Sequence, residues 1–359
     1  MKKIGIIGTR GIPNQYGGFE QFAQFFSEHL VQKGYEVVVY CSSNHTFQEK
    51  TWKGVSLVHI KDPEKSIGTV GQFIYDLRAI LHARKQKFDV IFQLGYTSSS
   101  IWGFLFPKKA KLITNMDGLE WKRTKYSPLV QRFLKNAEKW AINQSDELIA
   151  DSIGIQTYLK EKYSVTSTFI PYGSEIISKK EASVLTQFQL TPGNYHLVIA
   201  RFEPENNIET IINGYQNDSE KKLVIIGNYS TKYGKYLYDK YQDKVFFLGA
   251  IYHFDVLNQL RLHCALYFHG HSVGGTNPSL LEAMACSCFI VAHNNPFNKG
   301  VLGDDAVYFD SAEEIALILK KEQLTENKSE IIQNNRQKIE TLYSFESVHS
   351  KLISLLEKN

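Results

Sequence analysis

Short apolar runs alternate with stretches of helical spacing along the first half of the chain. The opening residues set the pattern, with apolar runs at 4–8 and 37–40 and helix-spaced apolar residues over 19–33. Further strands are predicted at 89–93, 111–115 and 147–151. This alternation is typical of β-α-β units that build a parallel sheet.

The same alternation begins again after a turn at 191–194. Strands are predicted there at 196–200, 223–227, 245–249, 266–269 and 288–292. Two successive series predict an α/β chain with two doubly wound parallel sheets that face each other across a cleft. We therefore expect one domain over 1–175 and a second over 176–344.

One helix of the first domain is clearly amphipathic. It is predicted to begin after Ser127, a good N-cap residue, with Pro128 at the first helical position. Its predicted inner stripe consists of Leu129, Phe133, Ala137, Trp140 and Ala141.

The composition is that of an ordinary globular protein, with 43% hydrophobic and 22% charged residues. A net charge of +4 is too weak to indicate a nucleic-acid partner, although it tolerates an anionic substrate or a membrane surface. No signal-peptide core or membrane-spanning run is recognised, so we expect a cytoplasmic protein, free or peripheral at the inner face of the plasma membrane. The four cysteines lack a Cys-x-x-Cys spacing, which argues against a disulfide or a metal site.

The most informative stretch is a glycine-rich loop that leads into a predicted helix. Asn277 is a good N-cap and Pro278 suits the first helical position, so the free N–H groups of the helix start suit a phosphate. Glu282, one turn later, offers a carboxylate that can accept hydrogen bonds from paired sugar hydroxyls. These features indicate a nucleotide-sugar site, although an ordinary capped helix with a surface glutamate explains the same residues.

A second glycine-rich loop connects the first strand to the first helix. Gly17 and Gly18 at the helix entrance let backbone N–H groups approach an anion closely. The G-x-G-x-x-G spacing is absent and no ribose-binding acid ends the second strand, so a nicotinamide enzyme is disfavoured. No Gly-Lys-Ser/Thr follows, so the loop is not a P-loop.

Two loops of the second series end strands and carry polar groups. Arg201 stands where the first strand ends, and its guanidinium could clamp a diphosphate bidentately. The alternative is a surface arginine paired with Glu203 or Glu205. His269 and His271 are more consistent with one histidine lining the pocket than with a metal pair.

A loop of the first series follows the strand predicted at 111–115. Asp117 and Glu120 flank a turn glycine, and Trp121 offers a flat face for a sugar ring. The alternative is a capped turn with Trp121 packed inside.

Two features are compatible with a membrane surface. One is an aromatic-rich patch at 101–106 that precedes Lys108 and Lys109. The other is a set of basic residues: Lys122, Arg123, Lys125, Arg132, Lys135 and Lys139. A buried helix with a solvated face explains both features as well.

Four separated motifs, at 11–20, 117–123, 200–207 and 274–282, together resemble the family-4 glycosyltransferases of the GT-B fold. Within that family they are most similar to the bacterial rhamnosyltransferase-like branch of capsule, exopolysaccharide and cell-wall polysaccharide synthesis. The resemblance spans essentially the whole chain. It implies two Rossmann-like domains and a C-terminal helix, at 345–359, that returns to the first domain.

The resemblance also implies roles for single residues. Glu282 would hold the nucleotide ribose, Arg201 would stabilise the diphosphate, and Asp117 would lie beside the transferred sugar or the acceptor hydroxyl. Donor contacts are expected from Gly17, Gly18, Arg201, Gly227, His271, Gly274, Gly275, Thr276, Asn277 and Glu282. Acceptor-side contacts are expected from Tyr16, Glu120, Trp121 and Arg123.

Two residues depart from the usual family-4 pattern. Gly274 stands where a paired glutamate is common, and Asn206 stands where a lysine is common. The first change removes a usual contact to donor-sugar hydroxyls, which fits an unusual donor such as a 6-deoxy-L-sugar. Both changes look typical of the rhamnosyltransferase-like branch.

The resemblance therefore implies a retaining glycosyltransferase that needs neither a metal nor another cofactor and binds no nucleic acid. Its expected donor is a dTDP- or UDP-linked sugar, dTDP-L-rhamnose in the first place, and its expected acceptor is a glycan or lipid-linked glycan. Three alternatives stay open: a UDP-hexose-dependent transferase, a non-catalytic nucleotide-sugar-binding subunit, and a sugar-nucleotide epimerase.

Overall fold

The computed structural model describes residues 1–15, 17–123, 126–215, 221–320 and 327–358. The chain forms two compact units. Unit 1 consists of Met1–Tyr172 together with Val348–Asn359, and unit 2 consists of Gly173–Ser347. Each unit contains its own sheet, which confirms the predicted α/β class with two mostly parallel sheets.

Unit 1 alternates strands with helices. Its strands are β1 (Lys3–Ile7), β2 (Glu36–Ser42), β3 (Thr51–Trp52), β4 (Val55–Ile60), β5 (Val90–Leu94), β6 (Lys111–Asn115), β7 (Glu147–Ala150) and β8 (Thr168–Phe169). Its helices are α1 (Gly18–Gln32), α2 (Glu64–Ile67), α3 (Val70–Ala83), α4 (Pro128–Gln144) and α5 (Ile153–Tyr163). The C-terminal helix α13 (Phe345–Glu357) joins this unit from Val348 onwards.

The unit 1 sheet has the strand order β3-β4-β2-β1-β5-β6-β7-β8. All of its strand pairs are parallel except β3 with β4. Every residue of β5 is buried, as expected for a central parallel strand covered on both faces. Helix α13 packs on this unit, where the His349 ring lies 5.8 Å from the Phe26 ring and Lys2 Nζ donates to Leu356 O at 2.9 Å.

The predicted inner stripe of α4 is partly wrong. Ser127 caps this helix as predicted, since its hydroxyl accepts from Val130 N, but Leu129 is 81% exposed. The buried positions are Leu134, Ala137, Glu138 and Ala141. The true buried face is therefore rotated away from the stripe that begins at Leu129. Periodicity misplaced it because Leu129, Phe133 and Trp140 also recur at helical spacing.

The described residues of unit 2 repeat the alternation of strands and helices. The strands are β9 (Tyr195–Ile199), β10 (Lys222–Ile226), β11 (Phe246–Gly249), β12 (Leu266–His269), β13 (Ile290–His293) and β14 (Val307–Phe309). The helices are α6 (Ile208–Gly214), α7 (Lys232–Tyr241), α8 (Phe254–Leu262), α9 (Pro278–Ala285), α10 (Pro296–Leu302), α11 (Ala312–Lys320) and α12 (Lys328–Lys338). A π-helical turn, Ile339–Tyr343, continues α12.

The unit 2 sheet has the strand order β11-β10-β9-β12-β13-β14, with parallel pairing throughout its described ladders. Its core joins one face of the sheet to α6, α7 and α11 through residues such as Val198, Ile211, Leu237, Phe268 and Ile315. The order reverses beside β9, which is the point where ligands bind in open α/β sheets.

Among the described residues, no helix combines the length and the apolar character needed to cross a lipid bilayer.

Candidate functional site

The carboxyl ends of four adjacent strands, β10, β9, β12 and β13, bring the polar loops of unit 2 together. Ser272 N and Oγ both donate to Glu205 O, at 3.0 and 2.8 Å, which ties the loop after β12 to the loop after β9. His271 O accepts from Asn295 Nδ2 and Asn298 Nδ2, each at 3.0 Å, in the segment after β13. The predicted strand-end residues of unit 2 therefore share one edge of one sheet.

Helix α9 begins as the sequence predicts. The Asn277 side chain accepts from Ser279 N at 2.9 Å, and Pro278 occupies the first helical turn. Thr276, just before the cap, is buried. The N–H groups of Ser279, Leu280 and Leu281 all bond to Asn277, so the first N–H groups of α9 are not free, contrary to what the sequence predicted. What this helix start offers an anion is the positive end of the helix dipole.

The carboxylate of Glu282 is buried in the second turn of α9. It forms an ion pair with Arg261, which lies in α8 and is only 1% exposed. Burial is the largest single effect on the pKa of Arg261 and lowers it, but Glu282 together with Tyr267 and two nearby cysteines outweighs burial, so the pKa of the guanidinium is raised. A buried ion pair of this kind holds both charges in place, because either charge alone would be strongly disfavoured there.

Sequence reasoning did not identify Arg261. Its guanidinium is positioned by Asn258 Oδ1 at 3.2 Å and Ser279 Oγ at 3.3 Å, and Ser279 in turn shares a 2.6 Å hydrogen bond with the Tyr267 hydroxyl. The available signal was that Arg261 follows Leu257 by four positions, the spacing at which two residues share a helix face. This network fixes the orientation of Glu282.

Arg201 lies at the end of β9, and its side chain is exposed. Among the residues that the structure describes, Arg201 has no ion-pair partner, so its predicted alternative pairing with Glu203 or Glu205 is not found. Its carbonyl accepts from Asn206 Nδ2 at 2.8 Å, which closes the loop behind it. The Arg201 guanidinium is therefore exposed to solvent on an ordered loop.

Asn206 is 4% exposed, and its side chain donates to the backbone of this loop. Its carbonyl lies against Gly270, where a Cβ would approach to 2.1 Å. Gly227 is equally constrained, because a Cβ there would meet Ala200 O at 2.1 Å. Both glycines are therefore required by close backbone packing, and the donor contact expected from Gly227 stays a prediction.

His269 and His271 stack with their ring centroids 4.4 Å apart. Positions two apart in extended backbone face the same side, which brings the two rings together. His269 is fully buried, its ring nitrogens have no hydrogen-bond partner among the described residues, and burial lowers its pKa to about 3. His269 is therefore a neutral ring that supports His271.

Gly274 has φ +131°, a conformation that residues with a side chain rarely adopt. A Cβ there would meet no atom within 4 Å, so the restriction comes from the backbone rather than from crowding. The backbone of the loop therefore favours glycine at this position.

In unit 1, Gly17 precedes α1 with an extended backbone and Gly18 begins the helix. Glu20, two residues further, is buried and accepts from Arg10 N at 2.7 Å. Burial raises the pKa of Glu20, although the bond from Arg10 opposes the shift. The carboxylate therefore closes the glycine-rich loop onto the helix start.

Asp117 adopts the left-handed conformation, with φ +50°, directly after β6. Asn115 Oδ1 accepts from Asp117 N at 3.0 Å and supports this turn. The same edge carries Gly95, which follows β5 and donates its N–H to Asn115 O at 3.1 Å. A Cβ added at Gly95 would meet the Phe19 ring at 3.0 Å. The loops after β1, β5 and β6 are thus neighbours, and a left-handed aspartate is the kind of strain found at functional sites.

The remaining acceptor-side residues contact one another and nearby lysines. Arg123 Nη2 and Glu120 Oε1 form an ion pair at 2.6 Å. The Trp121 ring has Lys135 Nζ at 4.3 Å and Lys162 Nζ at 5.0 Å from its centroid. Cations therefore approach the aromatic surface that we expected to receive a sugar, and that role stays a prediction.

Two of the residues named from the sequence, Tyr16 and Lys125, lie outside the described residues. Within the described part of the chain, no group of three or more His, Cys, Asp or Glu side chains is arranged to hold a metal ion.

Two doubly wound, mostly parallel sheets, each in its own unit, define a chain of the GT-B fold. Residues 187–339 match the family model of glycosyl transferases group 1, and residues 1–175 match a domain of unknown function, DUF1972. The chain therefore carries a glycosyl transferases group 1 domain next to a DUF1972 domain. A search of curated proteins found no match.

Solved structures with the same fold cover nearly the whole chain. Sucrose-phosphate synthase from Thermosynechococcus elongatus matches with a TM-score of 0.83 and 16% identity, over 99% of this chain and 98% of that one. HepE from Anabaena in complex with UDP and glucose matches with a TM-score of 0.78 and 16% identity, over 99% of both chains. A TarM mutant from S. aureus, in a complex that includes UDP, matches with a TM-score of 0.73 and 12% identity, over 100% of both chains.

Proposed function

We propose that the chain is a retaining glycosyltransferase whose nucleotide-sugar donor binds to unit 2. The observation that carries this proposal is the buried Glu282 carboxylate, oriented by Arg261 in a helix that follows a glycine-rich loop. A carboxylate offers about four acceptor sites, so an ion pair with one cation is compatible with accepting two ribose hydroxyls. The group 1 domain match supports the same function.

The diphosphate of the donor would lie between Arg201 and the start of α9. Arg201 is exposed at the end of β9, and the start of α9 offers the positive end of the helix dipole. In the proposed transfer, the bond from the anomeric carbon to the diphosphate breaks and the acceptor oxygen bonds to that carbon on the same face. The departing diphosphate takes the acceptor proton, while Arg201 and the helix start stabilise its charge.

For the donor we propose dTDP-L-rhamnose. Gly274 supplies no carboxylate to a donor hydroxyl, and its φ of +131° opposes a glutamate at that position, which fits a 6-deoxy sugar. A UDP-hexose is the competing donor, since structures of the same fold contain UDP, and HepE has been solved with UDP-glucose. The proposed acceptor is a glycan or a lipid-linked glycan at the strand ends of unit 1, near Asp117.

Calorimetric binding without added metal tests the donor assignment. The panel consists of dTDP-rhamnose, UDP-glucose, UDP-galactose and UDP-N-acetylglucosamine. We expect one member to bind selectively to the native protein, and Glu282→Gln to lose that binding because an amide accepts fewer hydroxyl bonds and leaves Arg261 uncompensated. Glu340→Gln is the matched control, because Glu340 is exposed in unit 2. Equal binding by both variants would contradict the proposed site, and no binding to a folded native protein would reject this set of donors.

A second candidate is a non-catalytic nucleotide-sugar-binding protein. The observations that favour it are Gly274 and Asn206, which replace two groups that commonly contact the donor sugar and its diphosphate. The two candidates differ in turnover: the enzyme releases dTDP or UDP when an acceptor is present, whereas the binding protein only retains the intact donor.

A further inference from the structure

One surface of unit 1 joins three segments through an aromatic cluster. The segments are α3, α4 and a 3-10 turn at Ser100–Leu105. Trp102 Nε1 donates to Phe73 O at 2.9 Å, the rings of Phe73 and Phe133 lie 5.7 Å apart, and those of Phe133 and Trp140 lie 5.9 Å apart. The cluster fixes the relative positions of the three segments, so the side chains around it form one defined surface.

Large apolar side chains around this cluster are exposed to solvent. Val70 precedes Phe73 by one turn of α3 and is 62% exposed, and Leu129 precedes Phe133 by one turn of α4 and is 81% exposed. Phe104, in the 3-10 turn beside Trp102, is 69% exposed. Isolated exposed apolar residues need no explanation, but several around one cluster indicate a binding surface.

The charges of this surface have a single sign. The only acidic residues of α3 and α4 are Asp76 and Glu138, and both are buried. Asp76 accepts from Ser98 Oγ at 2.6 Å, and Glu138 accepts from Tyr158 OH at 2.8 Å, so both carboxylates are directed inwards. The exposed charged residues of α4 and of the segment after the 3-10 turn are Lys108, Lys109, Arg132, Lys135 and Lys139.

We propose that this surface, which we call the docking surface (Val70, Phe104, Leu129 and the flanking Lys108, Lys109, Arg132 and Lys139), binds an anionic lipid bilayer. The apolar side chains would enter the interface between headgroups and acyl chains, and the basic side chains would contact lipid phosphates. Exposed Leu, Phe and Val side chains favour a bilayer over a nucleic acid, because nucleic-acid surfaces give them no apolar environment.

A second copy of the chain is the less suitable occupant. In a symmetric dimer this surface would face its own copy, and the basic residues of the two copies would then be opposed. An anionic bilayer instead supplies opposite charge and an apolar layer behind it. The docking surface therefore matches a bilayer in both charge and polarity.

Sedimentation of the full chain with lipid vesicles tests this proposal. We expect binding to vesicles of equal parts phosphatidylcholine and phosphatidylglycerol, weak binding to phosphatidylcholine alone, and weaker binding at higher salt because screening reduces the charge term. The double variant Phe104→Ser, Leu129→Ser should lower the partition coefficient at least about tenfold. The double variant Arg132→Glu, Lys139→Glu should lower it by a similar factor on the anionic vesicles only.

Leu317→Ser is the matched control, because Leu317 is an exposed apolar residue of unit 2 and should not affect vesicle binding. All of the substituted side chains are exposed, so thermal unfolding should match that of the native protein. Failure of the folded native protein to bind anionic vesicles, or binding unchanged by both double variants, would overturn the proposal. Self-association that the serine variant abolishes would also overturn it and assign the surface to a second copy. The assay needs no donor or acceptor, so its result is independent of the proposed glycosyl transfer.

Discussion

Units 1 and 2 each bury a carboxylate in a helix that follows a glycine-rich strand-end loop, but they compensate its charge differently. Glu282 in unit 2 is paired with the buried guanidinium of Arg261. Glu20 in unit 1 receives a backbone N–H from Arg10, and burial raises its pKa. The ion pair holds the Glu282 carboxylate in one orientation, which suits its proposed role in donor binding, whereas Glu20 closes its own loop onto the helix start.

The largest expected effect is that of Arg261→Met. This change leaves Glu282 buried without its cation, and breaking a buried pair in this way costs about 3–5 kcal/mol. Urea unfolding followed by far-UV circular dichroism should show the loss in unit 2. The fluorescence of the four tryptophans, all of which precede residue 173, should show an unchanged unit 1 transition. A loss below about 0.5 kcal/mol, the range of ordinary surface changes, would mean that the pair does not stabilise unit 2.

Arg201→Ala tests whether Arg201 and Arg261, both in unit 2, have different roles. Arg201 is exposed, so unfolding should not change, but the transfer rate should fall about 10²–10³-fold because a cation at the leaving group is lost. Initial rates of nucleotide release measure the effect, with Arg84→Ala, an exposed arginine of unit 1, as the control. A parallel loss of rate and of unfolding free energy would assign Arg201 a structural role instead.

Acid should destabilise both units through buried histidines. Burial lowers the pKa of His269 in unit 2 and of His349 in unit 1 to about 3, with the nearby His29 contributing at His349. Each neutral histidine contributes fully to the free energy of unfolding above the unfolded-state pKa of about 6.5, and this contribution is lost as the pH falls towards 3. The loss for each histidine is on the order of 2 kcal/mol by pH 5. His269→Phe should flatten the pH dependence of unit 2 alone, and an unchanged profile would mean that the pKa of His269 does not differ between the folded and unfolded states.

The smallest effect concerns Asp117, which has a left-handed backbone conformation. Asp117→Ala in unit 1 should cost about 1 kcal/mol, because alanine tolerates φ +50° less well than aspartate does. Asp117→Gly should cost less in unfolding but should abolish any role of the carboxylate in transfer. If unfolding by urea ranks the glycine variant below the alanine variant, backbone strain at Asp117 is not the controlling factor.

The sequence predicted the elements better than it predicted the partners of the site residues. The strand runs and the Asn277 cap of α9 are local features, and the structure confirms them. Arg261 was missed because its burial depends on α8 packing beside α9, which spacing within α8 does not reveal. Leu129 was misassigned because two stripes of α4 share helical spacing, and only the packed sheet determines which one is buried. The inward orientation of Glu138 depends on Tyr158, which lies in another helix.

The most direct test applies one isosteric change to both acids at neutral pH. Glu282→Gln should destabilise unit 2, because Arg261 stays buried without its counter-charge, and should abolish nucleotide-sugar binding. Glu20→Gln should leave unit 1 as stable or more stable, since its amide oxygen still accepts from Arg10 N and the cost of a buried charge disappears. We therefore predict that the amide change destabilises unit 2 but not unit 1, and that Glu20→Gln still binds the donor. Equal destabilisation of both units, or donor binding retained in Glu282→Gln, would contradict the account.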